Sequence, residues 1–121
     1  MKENKILWSL DLAVTINDCD ENAISQNSII KFGKKISNTI DPEAEIVGIV
    51  NPFGDHNEDM KGWRLIHENK NSLITAHFIE KSKKGYINIH SCNPYKPSEA
   101  LDVIKDFFKS DEFICQKIFR E

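Results

Sequence analysis

Residues 71–92, NSLITAHFIEKSKKGYINIHSC, alternate apolar and polar side chains on both sides of a lysine-rich turn, and a β-hairpin is the form that satisfies such a pattern. Side chains on a strand alternate with period two, so Ile74, Ala76 and Phe78 share one face while Thr75 and His77 share the other. On the return strand Ile87 and Ile89 form the apolar face, and Asn88, His90 and Cys92 point the opposite way. The basic run Lys81-Ser82-Lys83-Lys84-Gly85 is expected to be the solvated turn. One face of the hairpin therefore reads as core. The other collects a thiol and two imidazoles beside Ser72, the serine that opens the first strand, where a plain solvated face would carry Lys, Glu and Thr.

The rest of the chain supplies what the hairpin packs against. Residues 5–17 alternate as a strand, with Leu10, Leu12, Val14 and Ile16 on the apolar side. Asp11 falls mid-strand on the other side, either as an edge carboxylate or as a residue looking into a site. Asp20 is placed to cap a helix running to about residue 38, with Glu21 in its first turn; Cys19 before it reads as a half-buried thiol. Ile29, Phe32, Ile36 and Ile40 recur at three- and four-residue steps as one buried stripe, and Asp41-Pro42 ends the helix. A strand over 45–50, a polar loop over 51–59 that contains an exposed His56, a strand over 62–67 and a tight turn over 68–71 lead into Ser72. After the hairpin, Asn93-Pro94-Tyr95-Lys96-Pro97 is a rigid connection to a second helix with a broad apolar face of Leu101, Ile104, Phe107 and Phe108, and residues 112–120 form a last strand.

This order of elements predicts an α+β fold, a two-layer sandwich of a mainly antiparallel sheet with two helices on one face. The opposite face, carrying His77, His90 and Cys92, is then uncovered by its own chain, so a ligand or a partner is expected there. At 121 residues and 40% hydrophobic content the chain forms a single domain over 1–121. Its 16 basic and 19 acidic residues are interspersed, which gives no footprint for nucleic acid or an anionic membrane. Cys19, Cys92 and Cys115 are odd in number and lack C-x-x-C spacing, which argues against a disulfide framework or a zinc ribbon and for a reducing compartment. With no signal-peptide run and no segment of membrane-spanning length, a soluble cytoplasmic protein is expected.

Ser72, a histidine five residues later at His77 and a cysteine twenty residues after the serine at Cys92 give a specific spacing. In it the chain resembles the small prokaryotic S-adenosylmethionine decarboxylase proenzymes, a pyruvoyl-dependent family. Asp18-Cys19-Asp20 and Asn93-Pro94-Tyr95-Lys96 extend the resemblance at lower specificity. The resemblance implies that the Ser72 hydroxyl attacks the carbonyl of Asn71, and that elimination and hydrolysis of the ester leave a pyruvoyl group on a new chain start at Ser72. That carbonyl would capture the substrate amine as a Schiff base and act as the electron sink for loss of carbon dioxide. His77 would handle the proton of the elimination. Cys92 would return a proton to the decarboxylated carbon, since a thiol of ordinary pKa, about 8.5, is protonated at neutral pH. Pairing Glu80 with Gly85 across the turn would set Cys92 opposite Leu73, next to Ser72. The family further implies S-adenosylmethionine as the substrate, a place in spermidine and polyamine synthesis, and a homodimer whose sites draw on both chains.

The chain departs from the family pattern at three places. Asn71 stands where the family has a glutamate, although pyruvoyl arginine decarboxylases also cut between asparagine and serine. After His77 the run is Phe78-Ile79-Glu80-Lys81 in place of threonine, tryptophan, proline and glutamate, so Lys81 occupies the position of the ribose-holding acid. The glycine-serine element that precedes the scissile strand is not evident around Trp63-Arg64-Leu65. Three other readings follow: a related pyruvoyl decarboxylase acting on ornithine or arginine, an unprocessed homologue that binds a ligand or partner protein, and a metal module on His77, His90 and Cys92 with His67 or Asp11 as a fourth ligand. The resemblance gives His90 no role.

Overall fold

In the computed structural model, which describes residues 8–42 and 45–121, the alternating segments become six strands of one sheet. They are β1 (Ser9–Ile16), β2 (Glu45–Phe53), β3 (Gly62–Asn69), β4 (Ser72–Ile79), β5 (Lys84–Ser91) and β6 (Phe113–Arg120). Their spatial order is β2-β3-β4-β5-β1-β6, and every neighbouring pair is antiparallel. Helices α1 (Gln26–Ile40) and α2 (Pro97–Phe108) pack on one face, which gives the α+β sandwich expected from the element order. The stripe Ile29, Phe32, Ile36 and Ile40 is fully buried against Leu65, Ile74, Phe78 and Ile87, and α2 adds Ala100, Ile104 and Phe108. Phe32 sits at the centre, its ring 4.9 Å from that of Phe108, 5.3 Å from Phe107 and 5.8 Å from Phe78 between centroids.

Several boundaries differ from the sequence expectation. Asp20 caps only a short 3-10 turn, Glu21–Ala23, and α1 starts later, where the Ser25 side chain accepts from the Ser28 N–H at 3.2 Å. A continuous helix from residue 20 would turn Ile24 about 140° away from the Ile29 stripe; the break lets Ile24 and Ala23 join the core. β2 continues through Asn51-Pro52-Phe53, which the composition had suggested as loop, because β2 is the sheet edge and an edge strand tolerates a proline. β3 likewise runs to Asn69, so the turn before Ser72 is only Lys70-Asn71. Cys19 is fully buried rather than half-buried, and burial, then the Asp18 charge, push its thiol up to about 11. The part of the 5–17 strand that precedes residue 8 lies outside the described residues.

The hairpin register also differs. Ile79 pairs with Lys84 and Ser72 with Ser91, so the loop is 80–83, with Lys83 at φ 53°, and Cys92 comes to lie opposite Asn71 instead of Leu73. A displacement of two residues preserves which side chains share a face. Hence Ile74, Ala76, Phe78, Ile87 and Ile89 are buried under the helices, while His77, Asn88, His90 and Cys92 are exposed on the uncovered face. Among the described residues no helix is long and apolar enough to cross a membrane.

Candidate processing and active site

The Asn71-Ser72 link sits where the end of α1 grips the β3–β4 turn. Ser37 donates its hydroxyl to Asn69 Oδ1 at 2.8 Å, and His67 Nδ1 reaches the same oxygen at 3.1 Å, which anchors the strand that enters the turn. Asp41, the C-cap of α1, is 5% exposed. Its Oδ2 accepts from the Asn71 N–H at 3.1 Å and from the Ser72 hydroxyl at 3.4 Å. From the other side, the Cys92 N–H donates to the Asn71 carbonyl at 2.9 Å. Asn93 Nδ2 donates to the Ile40 carbonyl at 3.4 Å and ties the end of β5 to the end of α1. Ser72 itself is buried, on the helix side of the sheet.

In the sequence Asp41 reads only as the residue that, with Pro42, ends a helix. The signal that could have found it is its place: an acid at a helix C-terminus faces the unsatisfied carbonyls there and is disfavoured unless donors are brought to it.

On the uncovered face, β1 lies between β5 and β6 and pairs Asp11 with His90 and Ile118, so Asp11 is not on an edge. Its carboxylate bonds His90 Nδ1 and, at 2.6 Å, Arg120 Nη2. The other ring nitrogen of His90, Nε2, lies 3.9 Å from Cys92 Sγ. His90 thus connects the thiol to a carboxylate that is itself held by a guanidinium. Beside this chain of contacts is a hollow of about 240 Å³ lined by Leu73, Thr75, Asn88 and Ile118 together with Asp11 and His90. A second hollow of about 250 Å³, lined by Arg64, Ile66, His77 and Tyr86, shares Thr75 and Asn88 with the first.

His77 is stacked on Phe53, with ring centroids 4.4 Å apart and planes at 22°. His77 is exposed at its edge, but partial burial of the ring, then the nearby Arg64 charge, lowers its pKa and so favours the neutral imidazole. Five residues along one strand separate it from Ser72, about 16 Å at the usual rise, and the two side chains leave the sheet on opposite faces. The chain therefore brings Asn71, Ser72 and the Cys92 backbone together and leaves His77 far from them. The His77, His90 and Cys92 set considered for a metal does not converge, and among the described residues no group of three His, Cys, Asp or Glu side chains could hold one. Lys81 pairs with Asp59 at 2.7 Å on the far loop, Glu80 is exposed beside it, and His56 is exposed as expected.

No protein-family model matches the chain, and no curated protein matches it. Among solved structures it is similar to the adenosylmethionine decarboxylase from Aquifex aeolicus VF5, with a TM-score of 0.73 at 14% identity over 93% of this chain and 89% of that one. Along nearly its whole length, the chain has the fold of that decarboxylase.

Proposed function

We propose that the chain is a pyruvoyl-dependent decarboxylase that cleaves itself between Asn71 and Ser72, with S-adenosylmethionine as its substrate in spermidine synthesis. The observation that carries this reading is the treatment of one peptide link: the Asn71 carbonyl receives the Cys92 N–H at 2.9 Å while the next residue offers a buried hydroxyl. A backbone donor fixed on a carbonyl is what an attacking hydroxyl needs when negative charge builds on that oxygen. The residues present thus fit the formation of a pyruvoyl group from Ser72. Such a group supplies a carbonyl that accepts an amine and takes up the electrons released with carbon dioxide.

The chain's own residues divide the remaining tasks. The Cys92 thiol holds the proton for the product carbon, and His90 Nε2, at 3.9 Å, is the group from which the sulfur is recharged while Asp11 keeps the ring oriented. The adjoining hollows on the same face accept the body of the substrate. His77, about 16 Å from Ser72 on its own strand, serves the site of a second copy, which docks on the uncovered face where Leu73, Tyr86, Ile114 and Ile118 are exposed. The position of the ribose-holding acid is taken by Lys81, which is engaged with Asp59. That favours, as a second reading, a smaller amino acid such as ornithine or arginine as the substrate.

Denaturing mass spectrometry of the purified protein beside Ser72→Ala tests the proposal. Wild type is expected as two fragments that meet at Asn71 and Ser72, the second lighter by one ammonia than a serine-started chain, and Ser72→Ala as one full-length mass. A single full-length mass in both, persisting after long incubation, would overturn the decarboxylase reading and leave an unprocessed binding homologue.

A further inference from the structure

We propose that Asp41 is the proton acceptor for Ser72 in self-cleavage, so that the C-terminus of α1 carries a catalytic residue of the processing step. The inference rests on the self-cleavage reading and deepens it.

Three observations carry it. First, Asp41 is 5% exposed and sits at a helix C-terminus, where the helix carbonyls oppose negative charge, and a buried carboxylate is tolerated only when donors meet it. Second, the carboxylate accepts from the Asn71 backbone N–H at 3.1 Å and the Ser72 hydroxyl at 3.4 Å, the two residues that flank the proposed cut, both on the single atom Oδ2. Among the described residues no lysine or arginine is paired with it. Third, the Asn71 carbonyl is held from the opposite side by the Cys92 N–H at 2.9 Å. A base on the hydroxyl and a donor on the carbonyl are the two groups an acyl shift requires.

The step balances without any other reactant. As the bond from Ser72 Oγ to the Asn71 carbonyl carbon forms, the hydroxyl proton passes to Asp41 Oδ2, and the negative charge on the Asn71 oxygen is met by the Cys92 N–H. The carbon–nitrogen bond then breaks, the proton moves from Asp41 to the Ser72 nitrogen, and the amide has become an ester with Asp41 again a carboxylate. His77 of the same chain, on the other face and five residues along the strand, is out of reach of this proton. Its implied work belongs to the later elimination. This chain lacks an evident glycine-serine element before the scissile strand, and the Asp41 carboxylate supplies a polar partner at the link from the helix side instead.

The test follows cleavage of the full chain in a time course after cell-free synthesis, with wild type, Asp41→Asn, Asp41→Glu and His77→Ala read by intact mass before and after hydroxylamine, which cuts esters and spares amides. Asp41→Asn preserves shape and can still accept from the Asn71 N–H. It is expected to slow the appearance of the two fragments on the order of a hundredfold and to remain uncut by hydroxylamine, while His77→Ala, stalled after the shift, is cut at residue 72. Asp41→Glu retains the carboxylate and is expected to cleave faster than Asp41→Asn, which separates proton transfer from stability. Wild-type cleavage speed in Asp41→Asn, a hydroxylamine-sensitive ester accumulating in it, or equal rates in the Asn and Glu variants would each overturn the inference. A wild-type chain that never cleaves would instead overturn the reading beneath it.

Discussion

Cys92 enters the proposed scheme through two separate atoms, its backbone nitrogen on the Asn71 carbonyl and its sulfur on the open face beside His90. One residue can serve both because the Asn71-Ser72 link lies at the end of the β4–β5 ladder, where the backbone is still in register and the thiol is already exposed. His77 is the second residue whose environment decides its chemistry. Its pKa is depressed, by burial first and Arg64 second, so the folded state resists protonation more than the unfolded chain does. The linked penalty is absent above the unfolded value of about 6.5 and grows as pH falls from there toward the lower folded value, so His77 favours stability at the higher pH. We expect its ring resonances to titrate below the free-histidine range in a proton NMR titration. Arg64→Gln should move the midpoint only partway back, because burial is the larger cause. At this scale the serine, histidine and cysteine spacing was legible in the chain. Asp41 and the Asp11–His90 contact were not: each joins residues far apart in sequence through α1 packing or the β5-β1 pairing, which no local period encodes.

Among the elements, α1 ties the core to the β3–β4 turn. Its buried stripe holds Phe32 against Phe78 on β4 and Phe107 and Phe108 on α2, and its last turn places Asp41 and Ser37 on the residues around the link. Phe32→Ala should lower stability by about 3–5 kcal/mol, measured by urea denaturation, because the ring is fully buried and its neighbours on three sides are themselves fixed rings. The stripe was readable from its three- and four-residue spacing. The start of the helix was not, because Asp20 and Ser25 are both good caps and only the need to bury Ile24 chooses between them. The hairpin register had the same ambiguity. Lysines and a serine suit several turn lengths; the β3–β4 pairing is more tightly set, since a Cβ at Gly62 would lie 1.8 Å from the Phe78 carbonyl oxygen.

For the molecule as a whole, the proposed scheme depends on the face opposite the helices. Ser72 and His77 lie about 16 Å apart along one strand, on opposite faces, so the scheme assigns the His77 of each copy to the site of the other. Mixing Ser72→Ala with His77→Ala under conditions that allow subunit exchange should let roughly half of the His77→Ala chains complete cleavage, as random pairing in a symmetric dimer predicts. Intact mass reads that fraction directly. If the mixture cleaves no more than His77→Ala alone, the two-copy arrangement is wrong.

A cut after residue 71 would assign β1, β2 and β3 to the leading piece and β4, β5 and β6 to the trailing one, yet in space they run β2-β3-β4-β5-β1-β6. The two pieces are therefore woven: β4 lies on β3, and β1 of the leading piece is clasped between β5 and β6 of the trailing one. Pulling them apart would unzip three ladders at once, so the proposed cut would release nothing, and a nicked molecule would keep the shape in which it was folded as a single thread. Under the proposed cleavage such a weave would be made before the cut, and folding of the uncut chain would be the step at which assembly is decided.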